Sequence, residues 1–137
     1  MSEYFKDGEE FGKTILEMFN KVLTDEKAKA RFRELNTILS YEYTDPDVKV
    51  WVDLREGRTD GGLGGSPGKV GIRIKTSADN GHKLWSNKMN PISAIGLQKL
   101  KVEGPMGKLL KLQPMLKQFA IAYNEALNEM GRDDIVL

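Results

Sequence analysis

The sequence predicts an α+β domain. Two observations carry this: apolar residues recur with a helical period towards both ends of the chain and with a period of two through its middle. A third sets the scale, since 137 residues suffice for one domain around a single core. Residues 1–137 therefore read as one unit.

Phe11, Ile15, Met18, Phe19 and Val22 share one helical face, with Lys13, Glu17 and Lys21 opposite. Thr24-Asp25 breaks that helix and caps a short second one through Ala28, Phe32 and Leu35. Such a face can meet a membrane or a partner, but packing of the helical pair on a sheet is the commoner fate. The period changes after Asn36. Thr37 to Thr44 is rich in β-branched and aromatic residues, and Asp45-Pro46-Asp47 makes a turn. Val48, Val50, Val52 and Leu54 then alternate with Lys49, Trp51, Asp53 and Arg55, which places Trp51 on the wetter face of a strand.

Gly57 to Gly68 reads as a mobile hairpin loop. Its glycines raise the question of a phosphate cradle. The motif fails, because Leu63 and Val70 stand where a P-loop ending in Gly68-Lys69 needs glycine and a hydroxyl. The dinucleotide-binding pattern fails as well, since Gly62 and Gly64 lead to Pro67 and no helix. Val70, Ile72 and Ile74 alternate with Gly71, Arg73 and Lys75 as a third strand. Ser77-Ala78-Asp79 caps a helix carrying His82, Leu84 and Trp85. His82 is the single histidine, with no acid–nucleophile pattern beside it. It reads as a surface residue and cannot assemble a multi-histidine metal site.

Asn90-Pro91 starts a further helix with Ile92, Ala94 and Ile95, closing near Gly96. Leu100 and Val102 alternate with Lys99, Lys101 and Glu103 as a strand, and Gly104-Pro105 turns the chain. Met106, Leu109 and Leu110 open a helix whose polar side carries Lys108 and Lys111. Residues 112–130 form a helical extension with Met115, Leu116, Phe119, Ala120, Tyr123, Ala126, Leu127 and Met130 in one stripe. Pro114 marks its start or a kink. Gly131 ends it, and 131–137 reads as a frayed tail. The stripe completes the core, covers a pocket or pairs with a second subunit.

Composition narrows the function classes. The 21 basic and 20 acidic residues leave a net charge of +1, which offers no global attraction to nucleic acid. Without cysteine there is no disulfide, thiolate metal site or cysteine nucleophile. No nucleophile–base pair and no metal cluster emerges, so the expectation is a protein that is not an enzyme, with no catalytic residues, metal or cofactor. The N-terminus lacks the basic start and apolar core of a secretory signal, and the C-terminal Ile135-Val-Leu137 is not a peroxisomal address. The longest apolar run, Phe119 to Tyr123, is far short of the roughly 20 residues of a membrane span. A cytoplasmic protein is expected.

Several short motifs, taken in order, resemble the sterol carrier protein type 2 family: Trp51-Val-Asp-Leu-Arg-Glu-Gly57, Ser77-Ala-Asp79, Lys88-Met-Asn-Pro91, Ser93-Ala94, Lys99-Leu-Lys-Val102, Gly104-Pro-Met-Gly107 and Lys111-Leu112. The likeness runs from about Ile38 to Leu112. Asn87 and Gln98 stand where that family usually has glycine, removing conformational freedom at two turns. Pro105 replaces a more usual polar residue, and many family members end soon after the position of Leu112.

The resemblance implies a mixed, roughly five-stranded sheet with helices packed on one face around an apolar tunnel, plus the extra C-terminal helix. It implies non-enzymatic binding and transfer of a fatty acyl, acyl-CoA or sterol-like ligand. The residues expected to line the tunnel are Trp85, Met89, Ile92, Ile95, Leu100, Val102, Met106, Leu109, Leu110, Met115 and Phe119, with Lys88, Lys108 or Lys111 near its mouth. Methionines among them suit ligands of varied shape. Pattern alone favours a filled core, since apolar stripes do not distinguish filled from hollow. The alternative is an interaction or scaffold domain whose C-terminal helix fills the tunnel or forms an interface. An apolar lipid is the expected partner, with transient membrane contact allowed and the protein either monomer or homodimer.

Overall fold

A computed structural model describes residues 2–137. The middle of the chain forms a five-stranded sheet of order β3-β2-β1-β4-β5. Its strands are β1 (Ile38–Thr44), β2 (Val48–Asp53), β3 (Asp60–Leu63), β4 (Ile72–Ser77) and β5 (Lys101–Glu103). β1 runs antiparallel to β2 and parallel to β4, while β3 and β5 pair antiparallel at the two edges. The sheet is mixed, as the resemblance implied.

Register decides which face is buried. Tyr41 lies opposite Val50 on one side and Ile74 on the other, and Leu39 lies opposite Val52 and Ile72. Because side chains alternate along a strand, these residues and Tyr43 share the face that the helices cover. The alternate positions carry charge. Arg73 bridges Glu42 at 2.6 Å and Glu103 at 3.7 Å across that second face. Trp51 lies there too, half-buried, as its place in the alternation predicts.

The stretch 57–68 is not simply a mobile loop. Asp60–Leu63 adds β3 to the edge of β2, from Val50↔Leu63 to Asp53↔Asp60. The alternating apolar signal is missing because close neighbours on both faces leave no room for side chains. A Cβ on Gly61 would come within 2.9 Å of Leu16, and one on Gly62 within 2.7 Å of the Trp51 indole.

Helices α1 (Gly8–Val22), α2 (Glu26–Leu35), α3 (Ala78–Trp85), α4 (Pro91–Gly96), α5 (Met106–Leu110) and α6 (Leu116–Glu129) complete the chain. Caps start three of them: Asp7 accepts from the Glu9 N–H at 3.0 Å, Ser77 from Asn80 at 3.1 Å, and Asn90 from Ile92 at 2.9 Å. α1 lies on β2 and β3, and α6 packs along α1, where Lys21 reaches Glu129 at 2.5 Å. Phe19, Phe32, Phe119, Tyr41 and Trp85 meet where α1, α2, α3, α6 and the sheet converge.

His82 is a correction. It is fully buried rather than on the surface, hydrogen-bonded to Tyr123 Oη at 2.7 Å and to the Ile135 carbonyl at 2.8 Å. A carbonyl only accepts, so Nε2 carries the proton and Nδ1 accepts from the tyrosine. The tail is a second correction. Residues 133–135 form a 3₁₀ turn, Ile135 is buried, and Arg132 pairs with Glu10 and donates to the Tyr4 carbonyl at 2.7 Å. One buried polar contact thus organises α3, α6 and the tail together. The segment before α1 is also anchored: Phe5 is fully buried and Ser2 donates to Asp79 at 2.5 Å.

The two missing glycines leave a mark. Asn87 has φ 57° and Gln98 φ 59°, so both turns keep the left-handed backbone although neither residue is glycine. For a residue with a Cβ that conformation costs roughly 1–2 kcal/mol, less for asparagine than for glutamine.

Two outcomes follow. Gln98→Gly raises stability by about 0.5–1 kcal/mol, strain relief exceeding the added entropy of the unfolded chain; Asn87→Gly gains less, as urea unfolding will show. Burial holds His82 below its ordinary 6.5, against the raising effect of the Ile135 carbonyl. The unfolded chain therefore takes up a proton that the native chain resists, so stability is full above about 6.5 and declines as pH falls below it. His82→Gln is less stable at neutral pH and loses that part of the slope in unfolding measurements across the range.

Candidate functional site

The helices do not cover the buried face of the sheet evenly. Past the α1 rings that meet Tyr41 and Tyr43, the side towards β5 is covered by α3, the short α4 and α5, and the first turns of α6. Between them is a cavity of about 110 Å³. Its floor is Tyr41 and Tyr43 of β1 with Ile74 and Thr76 of β4. Leu84 and Trp85 come from α3, Pro91, Ile92 and Ile95 from α4, and Leu100 from the entry to β5. Met106, Leu109 and Leu110 of α5 and Leu112, Gln113, Leu116 and Phe119 further on close the other side.

The opening is identified by side chains that both line the cavity and reach solvent. Ile92 is 51% exposed, Leu110 45% and Met106 36%, so the mouth lies between α4 and α5. Leu97, just past α4, is 67% exposed. Exposure of several large apolar groups around one opening is a feature that soluble surfaces generally avoid unless it serves binding. α5 is held by the Lys108 ammonium, which donates to the Leu35 carbonyl at the end of α2 at 3.2 Å.

Of the residues expected from the sequence, Trp85, Ile92, Ile95, Leu100, Met106, Leu109, Leu110 and Phe119 line this space. Met89, Val102 and Met115 do not. Met89 and Val102 are half-buried against the core, and Met115 is buried within it. The expectation missed the sheet floor. Its signal was present, since Leu39, Tyr41 and Tyr43 alternate and two of them carry polar tips, but alternation reports burial and not hollowness. α6 divides its stripe: Leu116 and Phe119 wall the cavity, while Tyr123, Ala126 and Leu127 are fully buried beyond it.

The lining contains no lysine, arginine or histidine, and no carboxylate. Its polar groups are the phenols of Tyr41 and Tyr43, Thr76 and Gln113. Trp85 donates its indole N–H to Tyr43 Oη at 3.0 Å, and Thr76 donates to the Lys99 carbonyl at 2.6 Å. Burial pushes both phenols well above the usual tyrosine range, so they remain protonated. Among the described residues no group of His, Asp and Glu has the arrangement to hold a metal ion. No helix among them is long and apolar enough to cross a membrane.

Comparison with known proteins gives the same architecture. The sterol carrier protein domain 2 of Helicoverpa armigera superposes with a TM-score of 0.69 at 21% identity, covering 88% of this chain and 94% of that one. Sterol carrier protein 2 from Yarrowia lipolytica, in its apo form, gives 0.60 at 22%, covering 81% and 99%. The Aedes aegypti sterol carrier protein-2 in complex with palmitate gives 0.54 at 14%, covering 80% and 93%. No curated protein sequence matches significantly. At these identities the structures establish the fold. Membership comes from the sequence itself, whose residues 19–117 match the SCP-2 sterol transfer family: this chain belongs to that family.

Proposed function

We propose that the protein binds a lipid in the cavity between the sheet and α4–α5 and carries it without chemical change. The observation that carries this reading is the cavity itself: an apolar space with an apolar-rimmed mouth, in a chain of the SCP-2 sterol transfer family. The complex of the Aedes aegypti relative with palmitate supports a fatty acyl chain as one cargo. Acyl-CoA and sterol-like ligands are further members of the class.

Size and energy suit a carrier. A volume of 110 Å³ encloses about four groups the size of water or methylene at ~30 Å³ each. Covering about ten methylenes of a chain along the cavity and its mouth contributes roughly 8 kcal/mol at ~0.8 kcal/mol each. Association costs of about 4 kcal/mol or more leave roughly millimolar affinity from this term, which further contacts strengthen and which allows release. A longer chain extends through the mouth. Trp85, Ile92, Ile95, Leu100, Met106, Leu109, Leu110 and Phe119 are the proposed lipid contacts, while Met89, Val102 and Met115 support the wall from outside the cavity.

The chain segment that builds the mouth is basic, which suits contact with an anionic bilayer. Residues 86–118 carry Lys88, Lys99, Lys101, Lys108, Lys111 and Lys117 against the single acid Glu103, whereas the whole chain has a net charge of only +1. Glu103 is already bridged by Arg73 and Lys75. Lysines near a membrane surface contribute roughly 1 kcal/mol each, and Ile92, Leu97 and Leu110 offer apolar groups to the interface. Lipid loading and unloading through this face is the proposed route.

Purified protein should release lipid on solvent extraction, or displace a fluorescent fatty acid saturably. A lipid-free protein with no displacement would sink the carrier reading and favour the scaffold alternative. Leu109→Asp should abolish uptake while circular dichroism stays native. In flotation with phosphatidylglycerol-containing vesicles, the protein should bind at low salt and release at high salt. Leu97→Glu should weaken that binding several-fold while leaving fatty-acid displacement unchanged; equal binding to neutral vesicles would count against this orientation.

A further inference from the structure

The cavity floor holds an unpaired polar group. Tyr41 is only 5% exposed, sits on the central strand and borders the cavity. Its ring is wedged between Phe19, at 5.9 Å, and Trp85, at 5.2 Å. Its hydroxyl makes no hydrogen bond among the described residues, yet it does not belong with the fully enclosed unpaired atoms such as Ser86 Oγ and Asn124 Oδ1. The hydroxyl therefore touches open space, and the space its residue borders is the cavity.

Two residues along the same face, Tyr43 uses its oxygen to accept from Trp85, which leaves its own O–H without a described acceptor. The two phenols stand two residues apart on the same face of β1, and both residues line the cavity. Neither hydroxyl has an acceptor among the described residues, so a ligand oxygen that reaches the floor gains a hydrogen bond in an apolar surround.

We propose that the Tyr41 hydroxyl, assisted by Tyr43, donates to a neutral oxygen of the bound lipid: a hydroxyl, ketone or ester carbonyl lodged at the sheet floor. This deepens the carrier reading and rests on it. The oxygen is neutral because no cation lines the cavity, and an unpaired carboxylate would not leave water for such a site. Two classes of cargo then enter in opposite senses. A fatty carboxylate goes in tail first and keeps its charge at the lysine-flanked mouth. An alcohol, sterol or ketone goes in oxygen first.

Methyl heptyl ketone and nonanethiol test this, being of similar length but differing in acceptor strength, since a thiol sulfur accepts weakly. Calorimetric titration of the wild type should show both binding. Tyr41→Phe, which keeps the ring and its packing, should weaken the ketone about five- to ten-fold and spare the thiol. The infrared carbonyl band of the bound ketone should lie at lower frequency than in hydrocarbon solvent and move back up in Tyr41→Phe. A band at its hydrocarbon position in the wild type overturns the proposal without any variant. An equal loss of both ligands overturns it too, leaving Tyr41 a packing residue. Binding of neither ligand to the wild type removes the carrier reading itself, and the anchor with it.

Discussion

A sheet with one apolar face must have that face covered, and this chain has few long helices with which to do it. Five strands at about 4.8 Å spacing present a face roughly 20 Å wide, while a packed helix occupies about 10 Å of it. α1 takes the half over β2 and β3, and α6 lies against α1 and α3 rather than flat on the strands. The half over β4 and β5 is left to the last turn of α3 and two helices of six and five residues. Short helices carry few side chains with which to fill the space above the strands. The hollow between them and the strands follows from that geometry, and so does its mouth.

The same division separates tight packing from loose. On the α1–α6 side, aromatic rings from three helices interlock with Tyr41, and the His82–Tyr123–Ile135 contact ties the tail to α3. On the other side α5 has no buried residue of its own, and its described polar tie to a distant element is the Lys108–Leu35 contact. Rigid scaffold and adaptable wall are built from adjacent stretches of one chain.

How much of this could be read in advance varies with the physics of each element. The strands around Val50 and Ile72 were legible because one buried face imposes strict alternation. The start of α4 was legible because Asn90-Pro91 is local chemistry. β3 was not, since its glycines are dictated by Leu16 and Trp51, which lie far away in sequence. His82 and Ile135 escaped for a related reason: a single polar contact between distant segments has no periodicity. The helical walls of the cavity could be named from Trp85 to Phe119 through the family resemblance. The floor at Tyr41 and Tyr43 could not, because a buried strand residue looks alike in sequence whether it meets another side chain or empty space. Asn87 and Gln98 show a different limit. Turn geometry persisted where the residue best suited to it was absent, so the fold imposed the backbone on the residue.

The empty space has a thermodynamic consequence. Closed cavities forgo about 24 cal/mol of stability per Å³, which sets an upper bound of roughly 2–3 kcal/mol on what filling 110 Å³ adds. Total stability for a domain of this size is only about 5–15 kcal/mol. Any molecule that fills the space restores missing contacts and, by mass action, shifts the native state further from unfolding. The protein is thus its own gauge of occupancy: its melting temperature reports whether the space is filled.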